Sequence, residues 1–349
     1  MIKQIKIENF LNFKQFDVPR LAGINLLIGD NDTGKTGLLK LLYAVSKSWE
    51  IYSRNSYENL AFKKVLAKKL FDTFQPGRNK LGELVTKGVK DKLNVAVAYS
   101  INQVSQNLSF KFGSATKNTV NDCTDSVIAM DDKYNVIFIP AKEVLTAFQA
   151  IKFTREPHYL PGFDDTYLDL IKCLEIPALK NNKIGPLSDI HQQIEELLGG
   201  QIYQSDDDFL FKKGHQEFTM AMTADGFKKL GTFTTLIQNR QLNRHTILFL
   251  DELENALHPK AIRCLVKIIV RLASYGVQIF LSSNHDFVIN QLSICARQEH
   301  TSIFCFSLSK NQDDIDTKVA DLKDNTPENM IVDEALKMFD EDVELDFRN

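Results

Sequence analysis

A short apolar run, Ile24 to Ile28, leads straight into Gly29-Asp30-Asn31-Asp32-Thr33-Gly34-Lys35-Thr36, and Leu38 to Leu42 continue as an apolar helix. Strand, glycine-bounded loop and helix follow in the order that gives the pattern G-x-x-x-x-G-K-[ST] its meaning. The glycines let main-chain N–H groups turn inward around the β- and γ-phosphates, and the helix N-terminus adds its partial positive charge. Lys35 brings a point charge and Thr36 a hydroxyl suited to magnesium, while Gly29, Asn31, Asp32, Thr33 and Gly34 complete the cradle. A chain built around this unit is expected to bind a nucleotide with Mg2+.

The second half of such a site is an apolar strand ending in acids, and Thr246-Ile247-Leu248-Phe249-Leu250-Asp251-Glu252 has that form. On its own this is an ordinary strand-to-loop transition. Downstream of a phosphate loop it reads as a Walker B strand, with Asp251 holding the metal and Glu252 polarising the attacking water. Asn255-Ala256-Leu257-His258-Pro259 then precede a helix whose apolar residues Ile262, Leu265, Val266, Ile269 and Leu272 keep helical spacing, with Pro259 at its start. A further strand, Val277 to Leu281, ends in Ser282-Ser283-Asn284-His285-Asp286. His285 has two readings: a sensor of the γ-phosphate at the carboxyl end of a parallel strand, or a histidine in a polar loop, as His245 and His258 are.

This order of parts, together with the opening Ile2-Lys3-Gln4-Ile5-Lys6-Ile7-Glu8-Asn9-Phe10-Leu11-Asn12-Phe13 and the run Asp251 to Asn255 with Leu257-His258-Pro259, resembles the ABC-type ATPases of the structural-maintenance-of-chromosomes (SMC), recombination-repair and OLD families. Ile139 to Leu145 and Thr223 to Lys229 are similar to small bacterial AAA-type ATPases of multigene antiphage systems, including Septu- and retron-associated ones. The resemblance implies an α/β fold: a P-loop NTPase, ABC-ATPase head with a mixed sheet and a helical lid insertion. It implies a homodimer or higher oligomer trapping ATP between subunits, each site covered by the other copy's signature segment, here Thr223, Asp225 and Gly226. It also implies a separate effector protein, such as a nuclease or toxin, under the control of the ATP-gated switch.

Three positions depart from the family pattern. Ala224 stands where a serine is usual, leaving Thr223 to offer a hydroxyl and Lys228 or Lys229 a charge. Asn284 separates the small hydroxyl residues from His285, and Asp32 replaces the commoner glycine of the phosphate loop.

Residues 1–50 are expected to form an N-terminal lobe with the phosphate loop, 51–220 a lid or insertion that also supplies central strands, and 221–349 a C-terminal lobe with the signature, Walker B and switch histidine. Within the middle, residues 52–93 read as helical, 94–112 as strands, 134–139 as another strand and 187–198 as a helix, with loops around Pro157 to Pro161 and Lys180 to Pro186. No sustained heptad pattern appears, so the long arm of chromosome-maintenance proteins is not expected. About sixty residues follow His285, so a nuclease is expected on another chain.

With 42 basic and 45 acidic side chains the net charge is −3, which argues against an indiscriminate nucleic-acid coat. A local basic stretch, Lys63, Lys64, Lys68, Lys69, Arg78, Lys80, Lys87, Lys90 and Lys92 with Phe62, Phe71 and Phe74 interleaved, either grips nucleic-acid phosphates or is a solvated face with its aromatics in the core. The acidic tail, Asp333, Glu334, Asp340, Glu341, Asp342, Glu344 and Asp346, reads as a solvated end or a dock for a basic partner. Asp206-Asp207-Asp208 and Asp314-Ile315-Asp316 read as loop acids. Cys123, Cys173, Cys264, Cys295 and Cys305 show no paired metal spacing. With no apolar run of membrane-spanning length and no signal segment before the first strand, no membrane partner is expected and the location expected is cytoplasmic. Two other readings stay open: a nucleotide-bound scaffold with little hydrolysis, and a DNA-repair ATPase acting on nucleic-acid ends.

Overall fold

The computed structural model describes residues 1–349 except 55–60, 78–79, 102–103, 132, 157–159, 178–184, 206–207, 253, 313, 326, 328–333, 335–336 and 344–349. Arg78, Pro157, Lys180, Asp206, Asp207, Asp333, Glu344 and Asp346 of the sequence reading lie outside the described residues.

The chain begins as a hairpin of β1 (Ile2–Phe10) and β2 (Phe13–Val18), and β1 pairs on its other side with β4 (Leu93–Ile101), followed by β5 (Val104–Phe112) and the short β6 (Asp122–Cys123). Ile2, Ile5, Ile7 and Phe10 all point inward although a pleated strand alternates with period two. The register shift between Ile2 and Gln4 absorbs one extra residue, and Asn9, at φ 57°, absorbs another.

The second sheet has the order β14-β13-β3-β12-β11-β7. Its parallel strands are β3 (Ile24–Gly29), β7 (Asn135–Ile139), β11 (Thr246–Asp251), β12 (Gln278–Ser282) and β13 (Ile303–Asn311), and β14 (Asp314–Asp321) closes one edge antiparallel. Both faces are covered, which is why these strands read as continuous apolar runs. Ile24, Leu26, Ile28, Leu248 and Leu250 face one core, whereas Leu27, Ile247, Phe249 and Phe280 face the other.

Between the two sheets lies α1 (Lys35–Ser53), with 13 of its 19 residues buried. A helix enclosed on nearly all sides is anchored by packing rather than by propensity, each buried Leu contributing about 1.5–3 kcal/mol. α2 (Phe62–Phe74) packs beside it. On the opposite face of the parallel sheet lie α5 (Ser188–Leu198), α6 (Asp225–Gln238), α7 (Pro259–Tyr275) and α8 (Asp286–Gln298), with a small antiparallel sheet of β8 (Gln201–Ser205), β9 (Asp208–Lys213) and β10 (Gln216–Thr219) packed on them. α3 (Phe148–Arg155) and α4 (Asp165–Leu174) sit beside the edge strand β7.

The helix expected over 52–93 is shorter. α2 ends at Phe74, where Gln75 turns into the left-handed region at φ 43° and Pro76-Gly77 prevent continuation. The chain then lies along β1, with Leu11 N–H donating to the Leu84 carbonyl at 2.8 Å and Thr86 N–H to the Asn9 carbonyl at 3.0 Å. The strands expected over 94–112 and 134–139 are present as β4, β5 and β7: β4 and β5, with the short β6, complete the antiparallel sheet, and β7 edges the parallel one.

An ionic seam joins α1, α2, α3 and α4. Lys69 Nζ, 4% exposed, lies 2.8 Å from Asp165 and also pairs with Asp169, while Arg155 reaches Asp165 at 2.7 Å and Lys40 reaches Asp164 at 2.6 Å. The Tyr43 hydroxyl donates to Asp169. Buried charges at this density persist only when each has its counter-charge.

Candidate nucleotide and metal site

All the motif residues lie at the carboxyl end of the parallel sheet. Gly29 closes β3 at φ 145°, and a Cβ there would stand 2.2 Å from the Leu308 carbonyl oxygen of β13. Gly34, at φ 89°, is the N-cap of α1, where a Cβ would meet the Phe13 ring at 2.7 Å. Only glycine fits either position. The first turn of α1 carries no acid, so its N-terminal partial charge is left for an anion.

Within the loop, Lys35 Nζ donates to the carbonyls of Gly29 and Asp30, each at 2.8 Å. Burial pulls its pKa below the ordinary lysine value, against the opposing pull of Glu252 and Asp251. Thr33 is fully buried and its hydroxyl donates to the Asp30 carbonyl at 2.8 Å, so it shapes the loop from within. Asn31 and Asp32 are exposed. Asp32 occupies the left-handed region at φ 64°, where the commoner glycine would be unstrained. It is held from both sides: Asn12 Nδ2 donates to its carbonyl at 2.9 Å, and Lys310 pairs with its carboxylate at 2.9 Å, which draws the Asp32 pKa down.

β12 separates β3 from β11, yet the ends of the outer two strands meet through side chains. Thr36 Oγ1 donates to Asp251, 2.9 and 3.1 Å from its two carboxylate oxygens, and Ser282 Oγ donates to Asp251 Oδ1 at 2.7 Å. Burial raises the Asp251 pKa, opposed by these two hydrogen bonds. A hydroxyl beside a carboxylate is an all-oxygen donor set that fits a hard cation such as Mg2+. Glu252 follows in the left-handed region at φ 43°, its N–H donating to Ser282 Oγ at 3.1 Å and its carboxylate accepting from Asn255 Nδ2 at 3.0 Å.

The loop after β12 turns at once into α8. His285 is the N-cap of α8: its Nδ1 accepts the Phe287 N–H at 3.3 Å, and its own N–H donates to Ser283 Oγ at 3.0 Å. Asn284 is the residue that reaches the phosphate loop, with Nδ2 3.2 Å from Asn31 Oδ1. Sequence reasoning passed over Asn284 as an intervening residue, and also over Glu254, which is 6% exposed and accepts from Ser283 Oγ at 2.6 Å. The only available signal was the unusual spacing.

The signature segment packs against the Walker B loop of its own chain. Gly226 leaves room for Leu257 and the Ala256 carbonyl, which a Cβ would meet at 2.7 and 3.1 Å. The Thr223 hydroxyl donates to the Met220 carbonyl at 2.8 Å, and the Asp225 carboxylate accepts from Lys228 at 2.8 Å. Lys228 and Lys229 do not project outward as the sequence suggested. Both are buried, and Lys229 Nζ lies 3.4 Å from the Glu252 carbonyl, its pKa lowered by burial.

The basic stretch is split by the fold. Phe62 is buried against Tyr52 and Phe74 packs on Phe10, so these rings belong to the core. Lys69 is committed to the ionic seam, and Lys92 pairs with Asp122 at 3.0 Å. Lys63, Lys64 and Lys117 line an open groove of about 740 Å3 together with Lys68, which pairs with Asp72 at 2.7 Å. A second cavity, of about 520 Å3, lies along the ionic seam rather than at the phosphate loop. Asp314 accepts main-chain N–H groups of Lys14 and Ile315, a structural use, and no cluster of three metal-ligating side chains occurs among the described residues. No helix among them is long and apolar enough to cross a membrane.

A parallel sheet with the phosphate loop on β3, the acid pair on β11 and an antiparallel sheet across α1 defines an α/β P-loop NTPase fold of the ABC-ATPase head type. The comparisons place it further. The family model "AAA ATPase domain" matches residues 1–172, and "AAA domain, putative AbiEii toxin, Type IV TA system" matches residues 142–290. An ATP/GTP phosphatase of Helicobacter pylori is 21% identical over 356 aligned positions, covering 87% of this chain and 92% of that protein. The DNA replication and repair protein RecF of Ligilactobacillus salivarius is 32% identical over 95 residues, 27% of this chain and 25% of that one. Among solved structures, an Smc head bound to the C-winged helix domain of ScpA superposes with a TM-score of 0.58 at 12% identity, covering 92% of this chain and 98% of that one. In fold, the chain is similar to the SMC head.

Proposed function

We propose that this chain is a magnesium-dependent ATPase working as an ATP-gated dimeric switch that controls a separate effector, a nuclease or toxin, in antiphage defence. The observation that carries the reading is the meeting of Thr36 and Asp251 at 2.9 Å, with Glu252 next in the chain and Lys35 beneath the loop. Lys35 and the N-terminus of α1 hold the phosphates, Thr36 and Asp251 hold the metal, and Glu252, steadied by Asn255, takes the proton of the attacking water. Magnesium, when bound, supplies neutralisation of charge on the phosphate oxygens. ATP closes two copies and hydrolysis reopens them, so the effector responds to the difference in affinity between the two forms. The matched toxin-system family supports the defence setting, and the phosphatase relative supports hydrolysis.

The test is the solution mass of the Glu252→Gln protein with magnesium, with and without ATP. Doubling on ATP, with hydrolysis reduced about 10²–10⁴-fold, is the expected result. Unchanged mass despite bound ATP would remove the dimer switch and favour the scaffold reading, which the inward-turned Lys228 and Lys229 already support.

A further inference from the structure

The loop between β12 and α8 carries two candidates for contact with the nucleotide, and the side chains divide the work in an unexpected way. The His285 ring is engaged at Nδ1 as the cap of α8. Asn284 extends Nδ2 to 3.2 Å from the exposed phosphate-loop residue Asn31, while its Oδ1 is enclosed without a hydrogen-bond partner. Register fixes where this amide stands. Ser282 pairs with Leu27 of β3 and Asp251 of β11, so two residues later Asn284 emerges between the phosphate loop and Glu252. An amide nitrogen at that point carries two N–H groups, one directed at Asn31 and the second offered to a phosphate oxygen.

Asn284 is also braced from beneath. Glu254, buried, accepts the Ser283 hydroxyl at 2.6 Å and faces the Asn284 N–H, while Ser283 Oγ in turn accepts the His285 N–H at 3.0 Å. The carboxylate therefore ties the loop after β11 to the loop after β12. Lys229 of α6 lies on the other side, 3.4 Å from the Glu252 carbonyl. A group packed this way transmits position, because losing it frees the loop that presents the amide.

We propose that Asn284, rather than His285, is the side chain with which this chain distinguishes a nucleoside triphosphate from a diphosphate, and that Glu254 is the positioning residue holding it over the phosphate loop through Ser283. The inference rests on the ATPase reading and specifies how that site senses its substrate.

The experiment measures ATP and ADP dissociation constants, by competition against a fluorescent ADP analogue, together with kcat and KM, for the wild type, Asn284→Ala, His285→Ala and Glu254→Gln. Asn284→Ala is expected to lower kcat about a hundredfold, as loss of one aligned donor does, and to bring the ATP and ADP affinities together. ADP affinity stays near wild type, which shows that the fold is intact. Glu254→Gln is expected to lower kcat about tenfold with KM and ADP affinity held. His285→Ala is expected to lower the melting temperature through its lost cap while keeping the preference for ATP. The reverse pattern, preference lost in His285→Ala and kept in Asn284→Ala, overturns the assignment. Wild-type kcat in Glu254→Gln overturns the strut. If the wild type binds neither nucleotide, the ATPase reading itself fails, and this inference falls with it.

Discussion

Replacing Gly29 by Ala tests whether the phosphate loop is fixed by the close approach of β3 to β13. The new Cβ would lie 2.2 Å from the Leu308 carbonyl oxygen, a main-chain atom of the registered neighbour, about 1 Å inside normal contact. Three costs combine. A positive φ of 145° costs a non-glycine residue about 1–3 kcal/mol. Forcing the strands apart adds about 1–3 kcal/mol of overpacking, and a weakened ladder hydrogen bond adds about 1 kcal/mol more. The total, about 3–7 kcal/mol, is a large share of the 5–15 kcal/mol by which a domain is usually stable. Gly88→Ala is the control: its φ is also positive, at 79°, but no atom lies within 4 Å of the added methyl, so the cost is about 1 kcal/mol from backbone strain alone. The single tryptophan, Trp49, is buried in α1, the helix that leaves the phosphate loop, so its fluorescence in a urea titration reports unfolding of this core directly. The expected result is a midpoint far lower for Gly29→Ala than for Gly88→Ala at equal slope. Equal midpoints would refute the argument and mean that the two strands separate freely.

Four further outcomes follow from the same geometry. Lys69→Met leaves buried Asp169 without its paired cation, while Asp165 keeps Arg155, and should cost about 3–5 kcal/mol by urea denaturation. Burial raises the Asp251 pKa, so the folded state holds that proton more tightly than the unfolded one; its stabilising contribution is present below the ordinary carboxylate value of about 3.9 and is lost as pH rises through the raised value. Asp251→Asn should therefore unfold at an equal or higher urea concentration at pH 7 without nucleotide, while losing magnesium-dependent ATP binding by calorimetry. Asp32→Gly removes the strain at φ 64° together with an exposed ion pair to Lys310, two small effects that oppose each other, so its urea midpoint should stay close to that of the wild type. If the groove beside α2 holds duplex DNA, neutralising Lys63, Lys64 and Lys117 should flatten the dependence of binding on salt, about one unit of log–log slope per lost phosphate contact.

The parts of the site that were legible from sequence are those encoded by local order. A strand, a glycine-bounded loop and a helix are contiguous, so Gly29 to Thr36 announce themselves, and the apolar run ending in Asp251 needs only its neighbours to be recognised. Contacts that depend on two distant loops were not legible. Glu254 reads as one more acid in a polar loop until β11 and β12 are laid side by side and Ser283 comes within 2.6 Å. The cap formed by His285 was not legible either, because its partner, the Phe287 N–H at 3.3 Å, is fixed only once α8 begins at Asp286. The lysines of α2 looked alike in sequence, yet one face of that helix is solvated and the other meets α4, so Lys69 and Lys68 have opposite fates. The strands β8, β9 and β10 were missed because they are short and largely polar, their pairing visible only between strands.

The ionic seam also limits how this chain can be exchanged piecewise. Lys69 and Asp169 are 100 positions apart, yet neither tolerates the loss of the other in a buried site. A segment spanning α3 and α4, transplanted from another protein, would have to bring acids aimed at α2 or strand an ammonium group inside the fold. Substitutions on the two sides are therefore expected to arise as matched pairs, and recombination that separates 62–74 from 165–174 should yield chains that fail before the nucleotide site is ever tested.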